Sequence, residues 1–234
     1  MVNTSNILVI YLHLMEMIKV EYFSDSSAVP HLHLENEDSY SVTDDLFIVA
    51  DGVGSYEGSK DASRYAVNYL SKMAKEIQSK EQLVEEIIKL SEEIKSIGII
   101  SGRPLMSTTI SVLKISTEKY ITANVGDSPI VLLRSGKLYK LYIDDSERSS
   151  TGNRFALEQA FGWNHVIVHS FEGKLEKGDL FIICTDGVSD NLSDEYDLYS
   201  ILRELDAQTI VRLALNKGIK PDDATIIKVY VTMA

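Results

Sequence analysis

The residues of this sequence best suited to chemistry are acidic, and they fall into four groups: Glu37-Asp38, Asp51, Asp186 and Asp222-Asp223. Two of the groups close matching apolar runs. Asp45-Leu-Phe-Ile-Val-Ala-Asp51-Gly52-Val53 is echoed by Asp179-Leu-Phe-Ile-Ile-Cys-Thr-Asp186-Gly187-Val188. Asp-Gly commonly makes turns, but a turn gains nothing from two apolar strands that each deliver a carboxylate at the tip. If gathered in one place, the acids repel: two unit charges 4 Å apart cost about 4 kcal/mol even at an effective dielectric of 20. Such a cluster persists only if cations neutralise it or its pKa values rise. All-oxygen donors suit Mg2+ or Mn2+. Gly52, with no side chain, would let the backbone approach a metal and lend its carbonyl. Two metals held by shared carboxylates can activate water and clamp a phosphoryl group.

Strands and helices must position these acids. Strand signals cover Ile18 to Phe23, Ser39 to Val42 and Leu46 to Ala50. From Ser59 to about Ile77, apolar residues recur at three- and four-residue steps, as in a helix. Ser79 with Gln82 forms a capping box that opens a second helix striped with Leu83, Ile87, Leu90 and Ile94. The tyrosines and leucines of both helices read as core. Further strands are expected at Thr108 to Ile115, Tyr120 to Val125, Ile130 to Arg134 and Leu138 to Tyr142, with Ser135-Gly136 as a hairpin turn. A polar stretch from Asp144 to Arg154 precedes a short helix, a strand near Val166 to Ser170 and the apolar strand Leu180 to Cys184. Helical patterns cover about Asp194 to Asn216, and Thr225 to Val231 is the last strand. Adjacent strands with paired helices indicate an α+β layered fold with antiparallel sheets.

Composition narrows the field. The 234 residues are 44% hydrophobic and 25% charged, an ordinary globular balance that can bury a core without disulfides. Lys+Arg 23 against Asp+Glu 35 leaves a net charge of −12, which disfavours nucleic acid as a partner. A single cysteine excludes a disulfide framework and a Cys-based zinc site, and points to a reducing, cytoplasmic setting. The apolar run Ile7 to Met15, interrupted by His13, is too short for a membrane span. It reads as a first strand, or as an extension upstream of a start at Met15 or Met17.

Taken in order, the motifs resemble those of the metal-dependent protein phosphatases (the PPM or type-2C serine/threonine phosphatases), in particular their small prokaryotic single-domain members. Asn36-Glu37-Asp38-Ser39 resembles the opening acidic motif, and Ala50-Asp51-Gly52-Val53-Gly54 the Asp-Gly-x-Gly motif, followed by Gly58 and Ala62-Ser63. Ser107-Thr108-Thr109 resembles Gly-Thr-Thr, and Ala123-Asn124-Val125-Gly126-Asp127-Ser128 resembles Asn-x-Gly-Asp-Ser. The segment from Gly178-Asp179 through Thr185-Asp186-Gly187 to Asp190-Asn191-Leu192 is similar too, as is Asp222-Asp223-Ala224-Thr225 at the end.

The resemblance implies a four-layer α-β-β-α sandwich, two central antiparallel sheets flanked by helix pairs, with metals at one edge. Residues 17–234 would form the phosphatase domain, after an N-terminal extension or first strand at 1–16. Two Mn2+ or Mg2+ ions are implied: Asp51 bridges them, the Gly52 carbonyl completes one, and Asp38, Asp186, Asp222 and Glu37 supply further ligands. Asp127 with Asp186 would hold a third, weaker ion. The implied reaction is hydrolysis of phosphoserine or phosphothreonine by metal-bound water, without a phosphoenzyme, on the protein targets of a serine/threonine kinase. A monomer is expected, with neither nucleic acid nor membrane as partner. There are departures from the pattern. His33 stands where the family commonly has a phosphate-binding Arg, Ser107 replaces Gly, Pro129 replaces Arg, and Asp145 replaces His. The flap between about 144 and 162 is short.

Other chemistries fit less well. Cys184 lacks the Arg of a cysteine-phosphatase loop, since Asp190 stands there, and reads as a buried small residue. Val49 and Cys184 occupy the places where a haloacid-dehalogenase aspartate pair would need Asp. Gly52 to Lys60 is a poor phosphate loop because Ser59 intrudes, and no Gly-x-Ser-x-Gly elbow occurs. On a strand, His31, His33 and Glu35 would share a face as in a His-x-His metal hydrolase, but His165 and His169 lie elsewhere with no evident partners. The remaining rival is a non-enzyme, a phosphatase-fold module that binds phosphoproteins without turning them over.

Overall fold

The computed structural model describes residues 18–27, 35–148, 154–192, 198–217 and 219–233. Strands that are apolar on both faces need cover on both sides, and the layers supply it. One sheet has the order β1(Ile18–Ser27), β12(Ala224–Met233), β11(Leu180–Cys184), β6(Ile130–Arg134), β7(Lys137–Lys140). The other has the order β10(His169–Lys174), β5(Lys119–Val125), β4(Ile110–Ile115), β3(Leu46–Ala50), β2(Ser39–Val42). Every pairing is antiparallel. Because side chains alternate along a strand, β3 sends Phe47 and Val49 into the gap between the sheets and Leu46 and Ile48 outward. The gap is filled by these residues with Leu113, Phe181, Ile183, Ile227 and Val229.

Helices close the two outer faces. On the β3 side lie α1(Ser59–Lys72) and α2(Lys80–Ile100), whose Leu70, Leu83, Ile87 and Ile94 pack on Ile48, Val112 and Ala123. The capping box at Ser79 and Gln82 is formed as read. The other face is covered by α3(Asp186–Leu192), α4(Leu198–Glu204) and α5(Ala207–Lys217), three helices rather than the expected pair. The architecture is therefore the α+β sandwich anticipated. No helix among the described residues is long and apolar enough to cross a membrane.

Several boundaries differ for physical reasons. The short helix expected after Arg154 is instead β9(Arg154–Leu157), which pairs with β8(Ser146–Arg148) in a small two-stranded sheet. The next strand begins at His169, later than Val166. α3 starts at Asp186, where a strand tip was read, because Val188 and Leu192 turn inward onto the sheet. The first helix stops at Lys72, short of Ile77, which is still buried. The hairpin Ser135-Gly136 has φ of 50° and 77°, as a two-residue turn between paired Arg134 and Lys137 needs. The run Ile7 to Met15 lies outside the described residues.

The two echoing strands share more than their tips. Each begins with an aspartate paired to a base on a neighbouring strand: Asp45 with Lys114 at 2.7 Å, and Asp179 with Arg134 at 2.7 and 2.6 Å. In the gap, the fully buried Phe181 meets Tyr120 edge-on at 5.0 Å. Phe181→Ala should therefore cost about 3–5 kcal/mol, read as a lowered denaturation midpoint at unchanged slope. A loss below about 1 kcal/mol would show that the gap does not depend on this ring.

Candidate metal centre

The four acidic groups meet at one end of the sandwich. Asp51 directly follows β3 and keeps the parity of Phe47 and Val49, so it continues the gap-facing row. Its backbone is fixed by the two residues that precede β4: the Asp51 N–H donates to Thr109 Oγ1 at 3.0 Å, while the Thr109 N–H and the Thr108 hydroxyl donate to the Asp51 carbonyl at 2.8 and 2.7 Å. Thr109 Oγ1 in turn lies 2.7 Å from Ser128 Oγ, next to the buried Asp127. Asp38 ties the two sheets together. It directly precedes β2, yet its Oδ2 accepts hydroxyls from Thr185 at 3.0 Å and Thr225 at 2.6 Å, both in the opposite sheet's loops and strands. Asp223 Oδ2 accepts the Glu37 N–H at 2.7 Å, so the first and last acidic motifs are directly bonded.

The glycines of both Asp-Gly pairs serve close approach. Neither has a positive φ: Gly52 bridges to Thr108, and Gly187 lies within α3. A Cβ on Gly52 would stand 2.9 Å from the Ser59 carbonyl carbon and 3.0 Å from the Glu37 carbonyl oxygen. On Gly187 it would fall 1.9 Å from the Asp223 carbonyl oxygen. The missing side chains thus let the acid-bearing segments close on one another.

The electrostatics are those of crowded carboxylates. Burial pushes Asp38 up to about 8, against hydroxyl bonds from Thr225 and Thr185 that favour its charge. Asp51 keeps a partial opening to solvent, yet enough protein surrounds it that desolvation lifts its pKa well above the carboxylate range, helped by Asp38, Asp186, Asp222 and Asp127. Asp222 is raised by desolvation and by Asp186. Among the described residues, the buried Asp38 Oδ1 and Asp186 Oδ1 have no hydrogen-bond partner. Unsatisfied hard oxygens in a dry carboxylate cluster are the donor set a divalent cation takes. As they stand, however, no three acidic, His or Cys side chains among the described residues close into a cage.

A lysine stands there. The Lys220 ammonium bonds to Asp186 Oδ2 and lies 3.2 Å from Asp222 Oδ2 and 3.8 Å from Asp190 Oδ2. Burial opposes its charge, but the Asp186 and Asp222 carboxylates outweigh that and raise its pKa far above the usual lysine range. The sequence offered no hint of this, since Asp186 and Asp190 lie some thirty residues back. Thr108, Thr109, Thr185 and Thr225 were also missed as orienting groups; only Thr185 and Thr225 stand close to an acidic motif in the sequence.

Of the remaining candidates, His33 and His31 lie outside the described residues. Glu35 sits in a bend and pairs with Lys60, which removes the shared-strand basis of the His-x-His reading at that residue. His169, for which the sequence suggests no partner, has one: its Nε2 lies 2.7 Å from Asp145 Oδ1. Asp145 Oδ2 also accepts the Gly126 N–H at 2.8 Å, so Asp145 braces the loop that carries Asp127. Cys184 is buried in β11 as expected.

Comparison with known proteins gives a consistent result. Residues 31–216 match the family described as Protein phosphatase 2C, a stretch that ends before Lys220 and Asp222. The chain is 27% identical over 212 residues to a probable protein phosphatase 2C, BIPP2C1, of Oryza sativa subsp. japonica, covering 86% of this chain and 33% of that protein. It is 23% identical to the serine/threonine protein phosphatase PstP of Mycobacterium tuberculosis, covering 82% of this chain and 41% of PstP. It is 27% identical to the serine/threonine phosphatase stp of Listeria monocytogenes, covering 78% of this chain and 82% of stp. The chain thus spans well under half of the first two relatives. Among solved structures, the PstP catalytic domain in complex with two manganese ions superposes with a TM-score of 0.79 at 23% identity, over 92% of this chain and 99% of that one.

The raised carboxyls make a pH prediction for chelator-treated protein. Because Asp38 titrates at about 8 when folded and near 3.9 when unfolded, the folded state holds the extra proton between those values. Stability from this group is complete below about pH 4 and lost as pH rises through about 8; Asp51 and Asp222 act in the same direction. The melting temperature of the metal-free protein should therefore fall from about pH 5 to about pH 8, and Asp38→Asn should flatten the fall. A midpoint that rises over this window would contradict the crowding described.

Proposed function

The chain belongs to the protein phosphatase 2C family, and we propose that it is a metal-dependent phosphoprotein phosphatase acting on phosphoserine and phosphothreonine. The observation that carries the reading is the convergence of Asp38, Asp51, Asp186 and Asp222, with two buried oxygens left unsatisfied, at the edge of a phosphatase-type sandwich. Asp51 would be shared between two ions, with Asp38, Glu37, Asp186, Asp222 and the Gly52 carbonyl as further ligands and Asp127 with Asp186 at a weaker third position. When bound, Mn2+ or Mg2+ supplies a water of lowered pKa and neutralises phosphoryl oxygens. The chain's own part is orientation: Thr108 and Thr109 hold the Asp51 backbone, and Thr185 and Thr225 hold Asp38 so that only one of its oxygens stays free. Phosphoprotein targets of a serine/threonine kinase, in the cytoplasm, are the substrates this reading entails, and residues 17–234 are its domain.

One observation favours a second reading, a binding module with little turnover. Lys220 already supplies a cation among Asp186, Asp190 and Asp222. Activity separates the two readings. With Mn2+, the purified protein should release phosphate from a phosphothreonine peptide and stop on chelation. Asp51→Asn and Asp186→Asn should each lower turnover by at least about a hundredfold, and Asp127→Asn far less. Turnover that survives full chelation would sink the metal-dependent reading; no turnover in Mn2+, with the ion bound, would favour the module.

His33 is proposed as the phosphate-binding group in place of Arg. An imidazole binds phosphate as the cation, so the Michaelis constant should rise as pH passes through about 6.5. His33→Arg should remove that rise. Superimposable profiles for both proteins would leave phosphate binding to other groups, of which Lys60 and Arg103 are engaged by Glu35 and Asp61.

A further inference from the structure

We propose that Lys220 is a tethered cation that holds the position between Asp186 and Asp222 in the metal-free protein and must be displaced for a divalent ion to bind there. The inference rests on the metal-dependent reading above but concerns how the site is loaded. Its basis is geometric. The Lys220 ammonium contacts Asp186, Asp222 and Asp190, carboxylates from two separate segments. Its backbone is held for the purpose: the Lys220 N–H donates to Asn191 Oδ1 at 2.9 Å, and Asn191 Nδ2 donates to the Lys220 carbonyl at 2.8 Å. Asn191 is buried in α3, one residue from Asp190, and also donates to the Gly187 carbonyl at 2.7 Å. One amide thus fixes the lysine relative to the helix that carries two of its three acids. The side chain remains 38% accessible, so it has somewhere to go when an ion arrives.

Two carboxylates cannot both give their charge to an ammonium and to a divalent ion at the same point. An ion entering between Asp186 and Asp222 faces the repulsion of a fixed positive charge at contact distance. The buried Asp186 Oδ1, which has no partner while Oδ2 holds the lysine, marks where a second cation still finds a donor. Metal affinity at this position is therefore set by an exchange of cations. On the other side of the cluster, among the described residues, Asp38 Oδ2 is held by the hydroxyls of Thr185 and Thr225.

The test is calorimetric titration of the full chain with Mn2+, for wild type and Lys220→Met, together with the melting temperature of each metal-free protein. The variant should bind Mn2+ at least about tenfold tighter at the position between Asp186 and Asp222, and its metal-free form should melt about 4 °C or more below wild type. Equal affinities and equal metal-free midpoints would overturn the proposal while leaving the metal reading intact. No Mn2+ binding by either protein would overturn the metal reading itself and this inference with it. A measurement on wild type alone guards against a variant that fails to fold. Acetylation of Lys220 by an amine-reactive ester, followed by peptide mass spectrometry against exposed Lys137, should be severalfold faster with Mn2+ than in chelator. Equal rates in both conditions would show that the ion does not move the lysine.

Discussion

Carboxylates brought from both sheets to one end of the sandwich repel each other through protein rather than water, and the surroundings of Asp38, Asp51, Asp186 and Asp222 follow from that repulsion. Burial lifts the pKa of Asp38, Asp51 and Asp222. Hydroxyls from Thr185 and Thr225 offset part of the cost at Asp38. Lys220 offsets part of it at Asp186 and Asp222. A hydrophobic sandwich does not need any of these groups for its core. They are present because the acids are, and the acids make chemical sense as donors to hard cations.

The frame that holds the cluster is correspondingly stiff. β3 and β11 are buried at every position and belong to different sheets, so each fixes an acid at its end with little freedom to yield. Asp45–Lys114 and Asp179–Arg134 anchor the opposite ends of the same strands. Asp145, braced between Gly126 and His169, does the same for the loop that bears Asp127. Relief of charge therefore has to come from protons, hydroxyls or cations, because the backbone cannot move the acids apart.

Features carried by local signals were legible in the sequence. The limits of β2, β3, β6 and β11 and the Ser79 capping box follow from alternation, apolar runs and a four-residue motif. The echo of the two Asp-ended strands pointed to the site. What stayed hidden depends on which segments pair and on distant partners. The β8–β9 pair replaced an expected helix because pairing across the intervening loop decides its form. Gly52 and Gly187 owe their identity to the backbones of Glu37, Ser59 and Asp223, which no local pattern reports. Lys220 is the extreme case, since its place is fixed by Asn191 and three acids that only the folded chain assembles around it.

The position of β12 has a consequence for how the molecule is made. This strand lies inside its sheet, between β11 and β1, and it supplies Thr225 to Asp38 across 187 residues of sequence. A chain emerging from the ribosome has β1 and β11 in hand but cannot join them until β12 has cleared the exit tunnel. Until then both strands present open edges, the kind of surface that invites pairing with other chains. Asp222, two residues ahead of β12, comes beside Asp186 by the same closure. The strand that closes those edges is thus also the one that brings Thr225 to Asp38.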